Sequence, residues 1–171
     1  MNQPNSEPNA PAPRQVRISD ALVGTGNDIF KSYGLGSCLA IALYDPKRAV
    51  GGLAHAMLPD STETTTTSDK PGKYADTAVR ALRRRTIEAG GSRSSLEAKI
   101  AGGSDMFEFK RLGDSVGQRN IATAKAELET LDVSLVAEDV GGNHGRTVEF
   151  SLETGELVVE TADDEHGDQT L

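Results

Sequence analysis

Between Gln15 and Thr161 the chain switches between two hydrophobic rhythms. Short apolar runs and period-two alternation predict strands over "QVRISDALV", "IFKSYG", "CLAIALYD" and "AVGGLAHAML", then over "LEAKIAGG" and "VSLVAEDVGG". A closing hairpin is predicted over "RTVEFSLETGELVVET", turning at residues 153–156. Helical spacing intervenes twice. In "KYADTAVRALRRRTIEAGG" the residues Ala75, Val79 and Leu82 share one face and Gly90-Gly91 supplies a stop, and "GQRNIATAKAELETL" predicts a second helix. Two helices and six or more strands in mixed order predict an α+β fold, a single domain with helices packed on a largely antiparallel or mixed β-sheet. Asp45-Pro46 is a turn signal between two apolar runs, so "CLAIALYD" and "AVGGLAHAML" are expected to form a hairpin with Asp45 in the turn, facing solvent. Cys38 lies seven residues before Asp45 and His55 seven after Arg48, which puts both at the same end of the ribbon.

The pattern fades at both ends. Residues 1–13 are Pro, Asn and small polar residues and are expected to be disordered; residues 162–171 are acidic and are expected not to pack, which leaves His166 in a tail. The folded domain is then 14–161, and 171 residues is an ordinary length for one core. With 36% hydrophobic residues, four phenylalanines, three tyrosines and no tryptophan, that core must be aliphatic. Residues 60–73 form a polar loop whose threonine run follows the His55 strand, a position from which it can act as a lid.

A formal charge of −8 leaves no basic footprint, which argues against nucleic acid and against an anionic membrane as partners. Arg83, Arg84 and Arg85 are adjacent on a helix, so they fan around it instead of lining one face. Eleven arginines to seven lysines, an excess of acids and few aromatics are the balance of a protein kept soluble in concentrated salt, and a salt-adapted, haloarchaeal source is expected. Neither an 18-residue apolar run nor an apolar segment behind a basic start is present, so a cytoplasmic protein is expected, without membrane insertion.

One cysteine makes neither an internal disulfide nor a cysteine-cluster zinc site, leaving a core thiol or a reactive one. A reactive thiol needs a base to reach its thiolate, and His55 is available. In "GLGSC", Gly34 and Gly36 can take unusual backbone angles and leave N–H groups open to an oxyanion, with Ser37 as a further donor. An imidazole base also needs an orienting partner. Ser32, on the strand entering the glycine turn, can reach the ring; Asp60 is the alternative, and spacing does not choose between them. Gly102-Gly103 and Gly141-Gly142 read as plain turns, His144 as a loop histidine, and Asp105, Met106 and Phe107 as packing and rim residues.

Ser32, "GLGSC", "LYDP", "AHAMLPDS", "DKPGKYADTAV", "LEAKIAGGSDMFE", "GQRN", "AEDVGGNHGR" and "VEFSLETGELVV" follow one another in an order and spacing that closely resemble the CheD family. The resemblance runs from about residue 15 to 161. It implies a cysteine hydrolase that converts glutamine side chains of methyl-accepting chemotaxis receptors to glutamate through a thioester, with the receptor's cytoplasmic helical domain as substrate and no cofactor or metal. Cys38 matches the family nucleophile, His55 the family histidine, and Ser32 stands where the family has threonine. A shallow groove is expected, because the reacting side chain arrives on a helix. The resemblance also implies a CheC-family phosphatase as partner, and an adaptor without catalysis is the alternative reading. A thiol redox sensor centred on Cys38 is a third, lacking a second cysteine to resolve a sulfenic acid. The salt reading predicts a thermal unfolding midpoint that rises between dilute buffer and molar salt; a flat response contradicts it.

Overall fold

The computed structural model describes residues 11–63, 69–106, 113–163 and 165–171. Among them run β1 (Arg14–Gln15), β2 (Ala21–Thr25), β3 (Ile29–Leu35), β4 (Leu39–Asp45), β5 (Val50–Ala56), α1 (Ala75–Glu88), β6 (Glu97–Gly102), α2 (Val116–Thr130), β7 (Ser134–Val140), β8 (Arg146–Ser151), β9 (Leu157–Thr161) and β10 (Gln169–Thr170). The fold is α+β, as the pattern predicts, but the strands divide into two mixed sheets, ordered β1-β3-β8-β9-β10 and β2-β5-β4-β6-β7. Three layers result: the helices, then the β4-centred sheet, then the β8-centred sheet.

The division explains the sequence of β4. Leu39, Ile41 and Leu43 pack toward the helices with Val79, Leu82 and Leu128, while Ala40, Ala42 and Tyr44 pack toward the other sheet with Phe30, Val148 and Phe150. A strand covered on both faces has no solvent side, so "CLAIALYD" reads as a continuous apolar run. Residues 15–23, expected as one strand, break at Ser19, whose φ of 71° turns the chain from the β8-centred sheet into the β4-centred one. Helix α2 opens on a capping box, in which Ser115 Oγ accepts from the Gln118 backbone and Gln118 Oε1 accepts from Ser115 N–H.

The β4–β5 register runs from Asp45 opposite Val50 to Leu39 opposite Ala56, with His55 opposite Ala40. The turn is therefore longer than the simplest count, and His55 meets a residue two positions beyond Cys38. An even offset keeps every side chain on its expected face. Asp45, expected to face solvent, is fully buried instead. Its carboxylate accepts from the N–H groups of Lys47, Arg48 and Ser92 at 2.9, 3.2 and 2.8 Å and pairs with the Arg48 guanidinium at 3.2 Å, so it ties the hairpin turn to the loop before β6.

The acidic end also departs from expectation. Asp163 caps a turn by accepting from the N–H groups of Glu165 and His166, and β10 then pairs antiparallel with β9. Asp163 and Glu165 stand in the turn, whereas Gln169, Thr170 and Leu171, whose side chains are uncharged, cover an edge of β9 that would otherwise carry unpaired backbone groups. Of residues 1–13, expected to be disordered, 1–10 lie outside the described residues, and so does the threonine run, residues 64–67, expected as a lid. Among the described residues, no helix is long and apolar enough to cross a membrane.

Close approach of β2 to β5 requires glycine at 52, where a Cβ would overlap the Leu22 carbonyl. Gly52→Ala is expected to lower the unfolding free energy by about 3 kcal/mol, measured by urea denaturation, because backbone, not a flexible side chain, would have to move.

Candidate active site

The site is built where the two sheets face each other. β3 of one sheet carries Ser32 and β5 of the other carries His55, both buried. Ser32 Oγ lies 2.8 Å from His55 Nδ1 and donates to the Val16 carbonyl at 2.7 Å. A hydroxyl has a single proton, and a carbonyl can only accept. The Ser32 proton therefore goes to Val16, and Nδ1 must carry the proton that joins the ring to Ser32. The tautomer is fixed, and Nε2 keeps its lone pair; it is buried and has no hydrogen-bond partner among the described residues. The two hydrogen bonds on Ser32 also hold its rotamer, which a threonine's methyl group would otherwise help restrain. Asp60, the alternative orienting group, is instead engaged with Thr62 N–H and Oγ1 at 2.7 Å each.

Cys38 sits immediately before β4. Its face is that of Ala40, Ala42 and Tyr44, and it packs against the cluster between the sheets. Because Ala40 pairs with His55, Cys38 is a diagonal cross-strand neighbour of the imidazole on the same face. Unlike His55, the thiol is only partly buried and opens on a cavity of about 770 Å³. Gly34, Gly36 and Ser37 form one wall, Ser104, Asp105 and Met106 another, and residues 113–119, including the first turn of α2, a third.

Electrostatics keep both groups neutral at rest. Burial pushes the Cys38 thiol up, partly offset by its own backbone N–H, which favours the thiolate. Burial likewise lowers His55 to about 4, with the charge of Asp20 acting in the opposite direction. At neutral pH the imidazole is uncharged and its Nε2 lone pair is unshared among the described residues, on the sheet face that also carries Cys38.

The glycine turns take part more directly than their reading as plain turns implies. Gly34 has a φ of 69°. Gly103 N–H donates to the Cys38 carbonyl at 2.9 Å and Ser104 N–H to the Gly36 carbonyl at 2.8 Å, so the 102–104 backbone braces the cysteine turn. A Cβ at Gly102 would come to 2.5 Å of the Cys38 carbonyl oxygen. Behind this brace, buried Arg146 donates to Ser104 Oγ and the Gly141 carbonyl at 2.8 and 2.9 Å and pairs with Asp139 at 3.3 Å. Asn120 is the residue that the sequence reading missed. It is fully buried, and its Nδ2 donates to the carbonyls of Ser37 and Met57. The signal was present: Asn120, Ala124 and Leu128 recur every four residues, so a polar side chain interrupts the apolar face of α2.

Asp105 and Met106 line the rim as expected, and Phe107 lies outside the described residues. His144 is buried and apart from the cavity lining, with its ring stacked on His166 at 4.3 Å and 20°. With Asp163 the two histidines gather possible metal ligands within 4.8 Å. Imidazole lone pairs lie in the ring plane, so those of nearly parallel stacked rings run side by side and do not converge on one ion.

Residues 57–161 match the family model described as CheD chemotactic sensory transduction. The chain is 40% identical over 159 residues to the chemoreceptor glutamine deamidase CheD of Bacillus subtilis (strain 168), covering 92% of this chain and 95% of the relative. It is 46% identical over 144 residues to the protein of that name from Thermotoga maritima, covering 84% and 88%. A probable chemoreceptor glutamine deamidase CheD from Haloarcula marismortui is 40% identical over 156 residues, covering 91% and 89%.

The buried imidazole has a measurable consequence. An unfolded histidine takes a proton near pH 6.5 and folded His55 only near 4, so between these values the unfolded chain binds more protons. Stability contributed by neutral His55 is intact above pH 6.5 and falls as pH drops through the window, by about 3 kcal/mol in total. Urea denaturation from pH 7 to 4 is expected to show a shallower decline for His55→Gln than for the parent protein; equal slopes contradict the assignment.

Proposed function

Because this chain belongs to the CheD family, we propose that it is a chemoreceptor glutamine deamidase, acting in the cytoplasm, with Cys38 as nucleophile, His55 as base and acid, and Ser32 as the group that orients His55. The observation that carries this reading is the chain of hydrogen bonds from His55 through Ser32 to Val16, which leaves an unshared Nε2 lone pair on the same sheet face as an accessible thiol.

In this mechanism Cys38 gives its proton to His55 Nε2 as sulfur attacks the carboxamide carbon of a receptor glutamine. The C=O electrons move to oxygen, and because the Gly36 N–H is already given to the Gly34 carbonyl at 3.2 Å, the N–H groups of Ser37 and Cys38 are the ones proposed to hold the resulting oxyanion. When the tetrahedral intermediate collapses, the C–N bond breaks, the imidazolium returns its proton to nitrogen, and ammonia leaves. The product at this stage is a thioester on Cys38. Neutral His55 then takes a proton from water as it attacks the thioester, and cleavage of the C–S bond releases glutamate and restores the thiol. No step calls for a metal or cofactor. His55, held neutral by burial, is ready as a base throughout the neutral range.

Access suits a substrate presented by a folded partner. Met106 and Val116, exposed on the cavity rim, offer apolar contact for one face of a receptor helix. A CheC-family phosphatase remains the further partner of this proposal. Cys38→Ala should abolish deamidation and spare such adaptor binding.

The test is incubation with a receptor cytoplasmic fragment followed by peptide mass spectrometry of glutamine-to-glutamate conversion. Conversion is expected with the parent protein, none with Cys38→Ser, and a rate reduced about 10²-fold with Ser32→Ala. Conversion unaffected by Cys38→Ser would refute the mechanism, and an unchanged rate with Ser32→Ala would remove Ser32 from it.

A further inference from the structure

The β4–β5 ladder ends one step short of Cys38. Its last pair is Leu39 with Ala56, after which the strands part. The Met57 N–H turns away to the Lys73 carbonyl at 3.0 Å, and the Cys38 carbonyl accepts from Gly103. Where the next rung would be, a side chain intervenes: Asn120 Nδ2 donates to the Ser37 carbonyl at 2.9 Å and to the Met57 carbonyl at 3.2 Å. One amide group thus joins the residue before Cys38 to the residue two after His55.

We infer that Asn120 is a positioning residue that sets the separation of the Cys38 thiol and the His55 imidazole. The chemistry of the group favours this over plain packing. Both acceptors are carbonyls on diverging strands, and a primary amide supplies two N–H donors from one atom at a fixed angle, so it can bridge them as no hydroxyl or carboxylate can. The same amide leaves Oδ1 buried without a partner among the described residues, an unfavourable arrangement that an apolar residue, such as Ala124 or Leu128 on the same face, would avoid. Asn120 also stands in the helix whose first turn walls the cavity, with Gly117 packed so closely on Gly103 and Ser104 that a Cβ would lie 2.5 Å from the Gly103 carbonyl oxygen. The cysteine turn, the histidine strand and the cavity wall are therefore fixed to one another through α2.

The inference rests on the Cys38–His55 roles proposed above, and a double-mutant cycle separates the two. The readout is the rate of Cys38 alkylation by iodoacetamide at pH 7, which needs no receptor, with circular dichroism melting to verify the fold. His55→Asn is expected to slow alkylation about tenfold in the parent protein, Asn120→Ala to slow it comparably, and the double variant to be no slower than either. Should His55→Asn slow the reaction and the two effects multiply, the inference falls while the pair stands. Should His55→Asn have no effect on the parent, both fall. If Asn120→Ala does not fold, Asn120→Ser, which keeps one donor, is carried through the same cycle and judged by the same non-additivity. On a receptor fragment, Asn120→Ser is expected to lower kcat with KM unchanged; a change confined to KM would overturn the positioning role.

Discussion

The hydrogen bond from His55 to Ser32 is the constraint on which the site depends, because it crosses between sheets. Neither residue is useful without the other sheet in place. Val16 takes the only proton that Ser32 can give, so the direction of the chain is forced and the imidazole is left with one free lone pair. A buried ring nitrogen without a partner costs free energy, roughly 1–3 kcal/mol by comparison with other unsatisfied groups. An unsatisfied buried atom calls for an explanation, and the free lone pair of a proposed base supplies one.

Burial acts on both groups of the proposed pair, raising the thiol and lowering the imidazole. It discourages charge on sulfur and on imidazole alike, so no ion pair is formed in advance. In the proposed mechanism the thiol rests protonated and His55 is unprotonated near neutrality. Proton transfer in the proposed mechanism then accompanies attack, and the reactive anion exists only when a carbonyl carbon is there to receive it. Such a resting state protects an accessible lone thiol from adventitious oxidation, since the thiolate is the oxidisable form.

Holding a partly open cysteine at the end of a buried strand requires bracing from several sides. The 102–104 backbone supports the turn from β6, Asn120 from α2, and Arg146 with Ser104 and Asp139 supports the brace itself. Most of these contacts are to main-chain carbonyls of residues 36–38, so they fix the path of the chain and leave the thiol itself unencumbered.

Much of this was legible in the sequence. Periodicity located both helices and most of the strands, and the Asp45-Pro46 turn was enough to put Cys38 and His55 at one end of a ribbon, because a hairpin is a local structure. The face they share survived an offset of two residues since side chains alternate with period two. Spacing did not choose between Ser32, 23 residues before His55, and Asp60, only five after it, and the stacking of one sheet on another made the more distant residue the neighbour. Likewise Asp45 became buried through a loop 47 residues away, Gln169 and Thr170 found an edge of β9, and Asn120 reached Ser37 across 83 residues. Local pattern was enough for both helices, most strands, the hairpin and the residue types that can do this chemistry, all set by interactions between near neighbours. Tertiary structure alone decided the tautomer, the burial that holds the imidazole neutral and the amide bridge beneath the cysteine, because each depends on groups that only packing of the three layers brings within hydrogen-bonding distance.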